Sequence, residues 1–130
     1  MPILEQLTET LAADTSLGIV IVFGSVAEDR ARADSDIDIA VAADRPLGVA
    51  EKLALIEAIA EQTGRPVDLV DLRTAGEPLL GQILQKGRRL LVRNPRLLGE
   101  LISRHLTDTE DFLPYRHRIL GARRASWIEK

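Results

Sequence analysis

Residues 18–41 read GIVIVFGSVAEDRARADSDIDIAV. GIVIVF (18–23) is an unbroken β-branched run of strand length, the pattern of a central strand buried on both faces. Gly24-Ser25 ends it, and Ser25 is a good N-cap for a short helix. After ten intervening residues the chain writes Asp36-Ile37-Asp38 into a second apolar run, SDIDIAV (35–41). Alternation there sets Asp36, Asp38 and Ala40 on one face of a strand, and Ile37, Ile39 and Val41 on the other. Any fold for this chain must place two like charges on a strand that otherwise belongs in a core.

Two carboxylates on one strand face have Cα atoms about 6.8 Å apart. They repel by roughly 2.4 kcal/mol at an effective dielectric of 20. Burial adds a desolvation cost. Protonation, an arginine partner or a bound cation can relieve it. An oxygen-only donor set with no Cys or His nearby suits Mg²⁺ or Mn²⁺. Asp68, between Val67 and Leu69 on another predicted strand, adds a third carboxylate. If the two strands are neighbours, the three converge, enough for a two-metal arrangement. Asp71 competes with Asp68, but the two are three apart and so face opposite ways. Asp68 lies deeper in the apolar run and is favoured. Gly24 lets a ligand approach the backbone closely, and Ser25 at a helix start offers a hydroxyl and free N–H groups to phosphate. A lone Asp-x-Asp or Gly-Ser is a weak signal. Together with a later apolar-flanked Asp they describe a metal–phosphate site of the kind phosphoryl or nucleotidyl transfer requires.

The rest of the chain supplies a mixed α/β frame. Ile3, Leu4, Leu7 and Leu11 predict a helix over 3–13, and residues 47–64 a second, with a stripe of Val49, Leu53, Ile56, Ile59 and Ala60 and Gly64 as its stop. RPVDLVDL (65–72) reads as a strand with Pro66 at its start. A short helix over 78–87 and a strand over 88–93 follow. Arg88 and Arg89 are within reach of a phosphate, though strand-edge solvation accounts for them more simply. After Pro95 a long helical pattern runs towards Trp127, with a kink or break expected at Pro114. The expectation is one α/β (α+β) domain over 1–130. It has a small mixed sheet flanked by helices, a core over about 1–93 and a C-terminal helical extension over about 95–128.

Composition narrows the function classes. The chain has no cysteine, which excludes disulfides and thiolate metal sites and fits a reducing cytoplasm. No signal-peptide pattern and no membrane-length apolar run is present. A net charge of −3 disfavours nonspecific nucleic-acid binding. From Leu113 onward, however, Arg116, Arg118, Arg123, Arg124 and Lys130 face only Glu129. That tail is either a solvated helix face or a docking surface for an acidic partner. His105 and His117 read as surface or helix-face residues, and Tyr115 and Trp127 as packing or interface residues.

GSVAEDRARADSDIDIAV resembles the signature of the DNA polymerase β-type nucleotidyltransferase superfamily, and the small size resembles its minimal nucleotidyltransferase (MNT) branch. The tail DFLPYRHRILGARRASWI resembles that of MNT antitoxins paired with HEPN-domain toxins. The resemblance implies a nucleotidyltransferase fold, with Gly24 and Ser25 at the ATP triphosphate. It implies Asp36, Asp38 and Asp68 as Mg²⁺ ligands, with Asp68 also assisting deprotonation of the acceptor. It further implies a hetero-complex in which AMP passes from ATP to a tyrosine of a HEPN ribonuclease. Glu28-Asp29 stand where relatives commonly carry a basic residue and Gly. Facing the triphosphate, they would need Arg30 or Arg32 to compensate; facing solvent, they would be neutral. Two other outcomes stay open: an antitoxin that acts by binding alone, and transfer to a small molecule or an RNA end.

Overall fold

A computed structural model describes residues 2–27 and 35–119, with side chains over 3–27 and 35–107. Glu28, Asp29, Arg30 and Arg32 lie outside the described residues, as do the side chains of Tyr115, His117, Trp127 and the C-terminal arginines. The elements are α1 (Pro2–Ala12), β1 (Leu17–Phe23), α2 (Gly24–Ala27), β2 (Ile37–Ala43) and α3 (Val49–Thr63). β3 (Val67–Asp71), α4 (Leu79–Lys86), β4 (Arg88–Val92) and α5 (Pro95–Ile119) follow.

The strands form one sheet in the order β3-β2-β1-β4. β1 runs antiparallel to both β2 and β4, while β2 and β3 run parallel. The parallel pair needs a crossover, and α3 supplies it. The expected small mixed sheet flanked by helices is therefore what forms. β1 is the apolar run of the sequence, and Ile19, Val20, Ile21 and Val22 are all fully buried.

Alternation divides the core between the two faces. On one, Leu17, Val20, Val22, Ile37, Ile39 and Val41 pack with Leu7 and Leu11 of α1 and Leu55 and Ile59 of α3. On the other, Ile19, Ile21, Ala40 and Ala42 pack with Leu80 and Ile83 of α4 and Leu97 and Leu101 of α5. The small Ala40 and Ala42 let these helices approach the sheet closely. α3 stops at Gly64, whose φ of 70° closes the last turn by an N–H bond to Ala60 O.

Three arginines tie the periphery down through backbone carbonyls. The Arg93 guanidinium donates to the carbonyls of Ala12, Asp14 and Leu17, joining the end of β4 to the α1–β1 turn. Arg73 Nε donates to Ala43 O at 2.6 Å. Arg104 of α5 donates to Leu72 O, Arg73 O and Ala75 O at 2.7–2.8 Å. His105, the next residue, has its Nδ1 2.7 Å from Glu77 Oε2 and lies over Gly81, so on its helix face it bridges α5 to α4.

Two local expectations are revised. Ser25 is not an N-cap, because α2 already begins at Gly24. Of the kink or break expected at Pro114, the break is absent, and α5 runs through it to Ile119. Proline removes one helical hydrogen bond and bends the axis, but the turns on either side can remain helical. Among the described residues no helix is long and apolar enough to cross a membrane.

Arg104 satisfies three carbonyls of one connection, so Arg104→Met should lower unfolding free energy by about 2–3 kcal/mol. Chemical denaturation would measure the loss, with hydrogen exchange expected to quicken first at residues 72–76.

Candidate active site

The sheet register assembles the acidic residues. Phe23 of β1 stands opposite Asp38 of β2, and Asp38 stands beside Asp68 of β3. All three lie in one row across the sheet. Their face is that of Ala40 and Ala42, the side covered by α4 and α5. The row lies past the end of that helical cover. Burial falls from Ala40, which is fully buried, to Asp38, which is half-buried, and Asp68, which is exposed. Asp36, just before β2, is exposed as well. The carboxylates therefore sit at the rim of the core and not inside it, contrary to the reading of a charge buried within the apolar run. The reason is that β2 enters the helix-covered layer only from Ala40 onward.

The Gly-Ser turn is built onto this row. Gly24 has φ +71°, a conformation that side-chain-bearing residues adopt only at a cost. A Cβ at Gly24 would lie 2.3 Å from Asp38 Oδ2 and 3.1 Å from its Cγ. The sequence suggested that Gly24 admits a ligand to the backbone. In the fold the group it admits is the chain's own Asp38 carboxylate. Ser25 follows in α2 and is half-buried.

Burial pushes the Asp38 carboxyl above the ordinary aspartate range, and the negative charges of Asp68 and then Asp36 push it further. Among the described residues no Lys, Arg or His is paired with these carboxylates; the ion pairs found there join Arg45 to Glu51, Arg96 to Glu100 and His105 to Glu77. Among the described residues the cluster is thus a concentrated set of hard oxygen donors with no cationic partner.

Among the described residues no three acidic or imidazole groups stand close enough to hold an ion by themselves. Mg²⁺ is ordinarily held by one or two carboxylates together with substrate phosphates and water. Asp38 and Asp68 fit that pattern, with Asp36 at its edge. Asp71 does not join them. It is 4% exposed and points to the other face, where its oxygens accept hydrogen bonds from Leu47 N at 2.8 Å and Arg73 N at 2.9 Å. Its charge is satisfied by backbone donors that hold the β2–α3 connection.

Residues 5–96 match the family model described as Polymerase beta, Nucleotidyltransferase. The protein adenylyltransferase MntA of Shewanella oneidensis is 36% identical over 74 residues, which are 57% of this chain and 53% of that protein. The chain thus spans about half the length of the curated relative it matches. A chain of a toxin–antitoxin crystal structure with AMP-PNP superposes with a TM-score of 0.75 at 25% identity, covering 91% of this chain and 95% of that one. A chain of a structure of tri-AMPylated Shewanella oneidensis HEPN toxin in complex with MNT antitoxin gives a TM-score of 0.69. It is 24% identical, covers 92% of this chain and 93% of that one, and shares the fold.

The contact between Gly24 and Asp38 can be tested by coupling. Gly24→Ala should destabilise by about 3 kcal/mol, of which roughly 1–2 kcal/mol is the positive φ. In an Asp38→Ala background only the φ cost should remain, so denaturation of the four proteins should show a coupling of at least ~1 kcal/mol. The carboxylate repulsion makes a second prediction. In metal-free buffer near pH 7, Asp38→Asn should raise the melting temperature, read by thermal denaturation beside wild type. The sign follows because the folded state raises this carboxyl's proton affinity, so its ionised form is what destabilises the fold.

Proposed function

This chain belongs to the polymerase beta nucleotidyltransferase family, and from that membership we propose that it is a Mg²⁺-dependent adenylyltransferase. In this reading it moves AMP from ATP to a tyrosine hydroxyl of a HEPN-domain toxin and so serves as that toxin's antitoxin. The observation that carries the chemistry is the in-register pair Asp38–Asp68, with Asp38 lying against Gly24. The acceptor class and partner are supported by the adenylyltransferase MntA and by the likeness to chains from toxin–antitoxin structures, one with AMP-PNP.

Each part of the site has a task in this reading. Asp38 and Asp68, with Asp36 beside them, would hold the Mg²⁺. When bound, the ion neutralises charge on the triphosphate and lowers the pKa of the acceptor hydroxyl. Gly24 and Ser25 receive phosphate oxygens next to the carboxylates. The acceptor oxygen attacks the α-phosphorus in line with the bridging oxygen to the β-phosphorus. The new O–P bond forms as the bridging bond breaks, and pyrophosphate leaves. Asp68, the more exposed of the pair, takes the acceptor's proton. Gly24 fixes where the Asp38 carboxylate sits, which positions the donors before nucleotide arrives.

A transfer assay tests the proposal. The protein, Mg²⁺ and α-labelled ATP are mixed with a HEPN-domain protein, and its mass and label are followed. AMP should appear on a tyrosine. Asp38→Asn and Asp68→Asn should each lower the rate at least about a hundredfold without loss of fold. Wild-type rates in Asp38→Asn would sink the mechanism. Glu28-Asp29 favour a second reading, neutralisation by binding alone. Full neutralisation of the toxin by a protein carrying Asp36→Asn and Asp38→Asn, with no label on wild-type complexes, would establish it instead.

A further inference from the structure

The row of carboxylates occupies β2 and β3, on one side of the Gly24 turn. On the other side of β1 lies β4, entered through Lys86-Gly87-Arg88-Arg89. Gly87 presses on the end of β1: a Cβ there would come within 2.4 Å of Ile21 Cγ2 and 3.2 Å of Val22 O. The basic turn is therefore fixed beside the strand end from which Gly24-Ser25 departs.

Register separates the three cations. Arg88 stands opposite Val22, whose side chain lies in the core under α1 and α3. Arg89 stands opposite Ile21, which lies on the α4–α5 face, the face of Asp38 and Asp68. A shift in register between Val20 and Ile21 accompanies this, and the next residues, Leu90 and Leu91, both turn to the α1–α3 side. Lys86 ends α4, which covers the same face as Arg89. All three cations are exposed, and among the described residues no ion pair engages them.

β2 and β4 flank β1, so their backbones are about 10 Å apart. Phe23, opposite Asp38, and Ile21, opposite Arg89, are about 7 Å apart along β1. An extended arginine and a triphosphate together close that span. The face is thus polarised: anionic on β2 and β3, cationic at the α4–β4 turn, with Gly24-Ser25 between. The stretch from Gly24 to Asp29 has no cation, and Arg30 and Arg32, which follow it, lie outside the described residues.

We infer that Arg89, with Lys86 beside it, binds the β- and γ-phosphates of the nucleoside triphosphate and sets the direction in which it lies across the sheet. The inference rests on the nucleotidyltransferase reading and adds the tail-phosphate contacts to it. The nucleotide lies with its α-phosphate over the carboxylate row and its tail towards β4. The departing pyrophosphate leaves on the β4 side, and the acceptor enters from the β3 side. Arg88, one residue away on the opposite face, takes no part.

Calorimetric titration with Mg²⁺ and a non-hydrolysable ATP analogue, and separately with AMP, tests this. The Arg89→Ala/Lys86→Ala variant should bind the analogue more than about tenfold more weakly, while AMP affinity stays within about twofold. Arg88→Ala should leave both affinities unchanged. Because the three side chains are exposed, all variants should melt with wild type. Equal analogue binding by wild type and the double variant overturns this inference and leaves the nucleotidyltransferase reading intact. So does a loss in Arg88→Ala as large as in the double variant, since only net charge would then matter. A wild-type protein that binds no Mg²⁺–analogue defeats the nucleotidyltransferase reading, and this inference with it.

Discussion

Two carboxylates held side by side by backbone pairing cannot move apart to relieve their repulsion. In this chain the parallel pairing of β2 with β3 sets Asp38 beside Asp68, and Asp36 adds its charge from one turn of the strand away. The repulsion and the partial loss of water both raise the proton affinity of Asp38. The rest of the fold enforces that juxtaposition: α3 makes β2 and β3 parallel neighbours, and Gly24 leaves room for the carboxylate beside the first turn of α2. A pair placed this way is destabilising while both carboxylates are ionised.

Other charged groups of the frame are handled in the opposite manner. Asp71 is buried and takes two backbone N–H donors, so its charge serves the connection into α3. Arg73, Arg93 and Arg104 spend their donors on carbonyls at chain turns. The contrast is between charge met by fixed partners within the chain and the charge of Asp38 and Asp68 on one side and Lys86 and Arg89 on the other, which have no ion-pair partner among the described residues. In the proposed function, Mg²⁺ and a triphosphate would complement such a divided surface.

Much of the frame was legible in local pattern. The apolar run at 18–23, the alternation at 35–41 and the helical patterns gave every element in its order, because apolar periods of 2 and 3.6 residues are a local property. The expected α3 stripe is misplaced, however: Leu55 and Ile59 are buried while Val49 and Leu53 are exposed. Punctuation was less legible. The proline at 114 suggested a break that α5 does not make, since one missing hydrogen bond does not end a helix of this length. α2 starts at Gly24, one residue before Ser25, and the space a side chain at Gly24 would fill is taken by Asp38, a long-range contact no local rule contains.

Alternation alone separated Asp68 from Asp71 and put Asp36 and Asp38 on one strand face. It could not say which strand neighbours which, nor how far along a strand the helical cover extends. Those are tertiary quantities, fixed by the β3-β2-β1-β4 order and by the reach of α4 and α5. They decide that the carboxylates stand at the rim, that Asp38 meets Asp68 rather than passing it, and that Arg89 shares their face while Arg88 does not. The sequence by itself determined which residue types a metal–phosphate site would draw on, because their chemistry and spacing are written locally. Only the tertiary structure decided their positions relative to one another, because strand register is set by how whole apolar faces fit together.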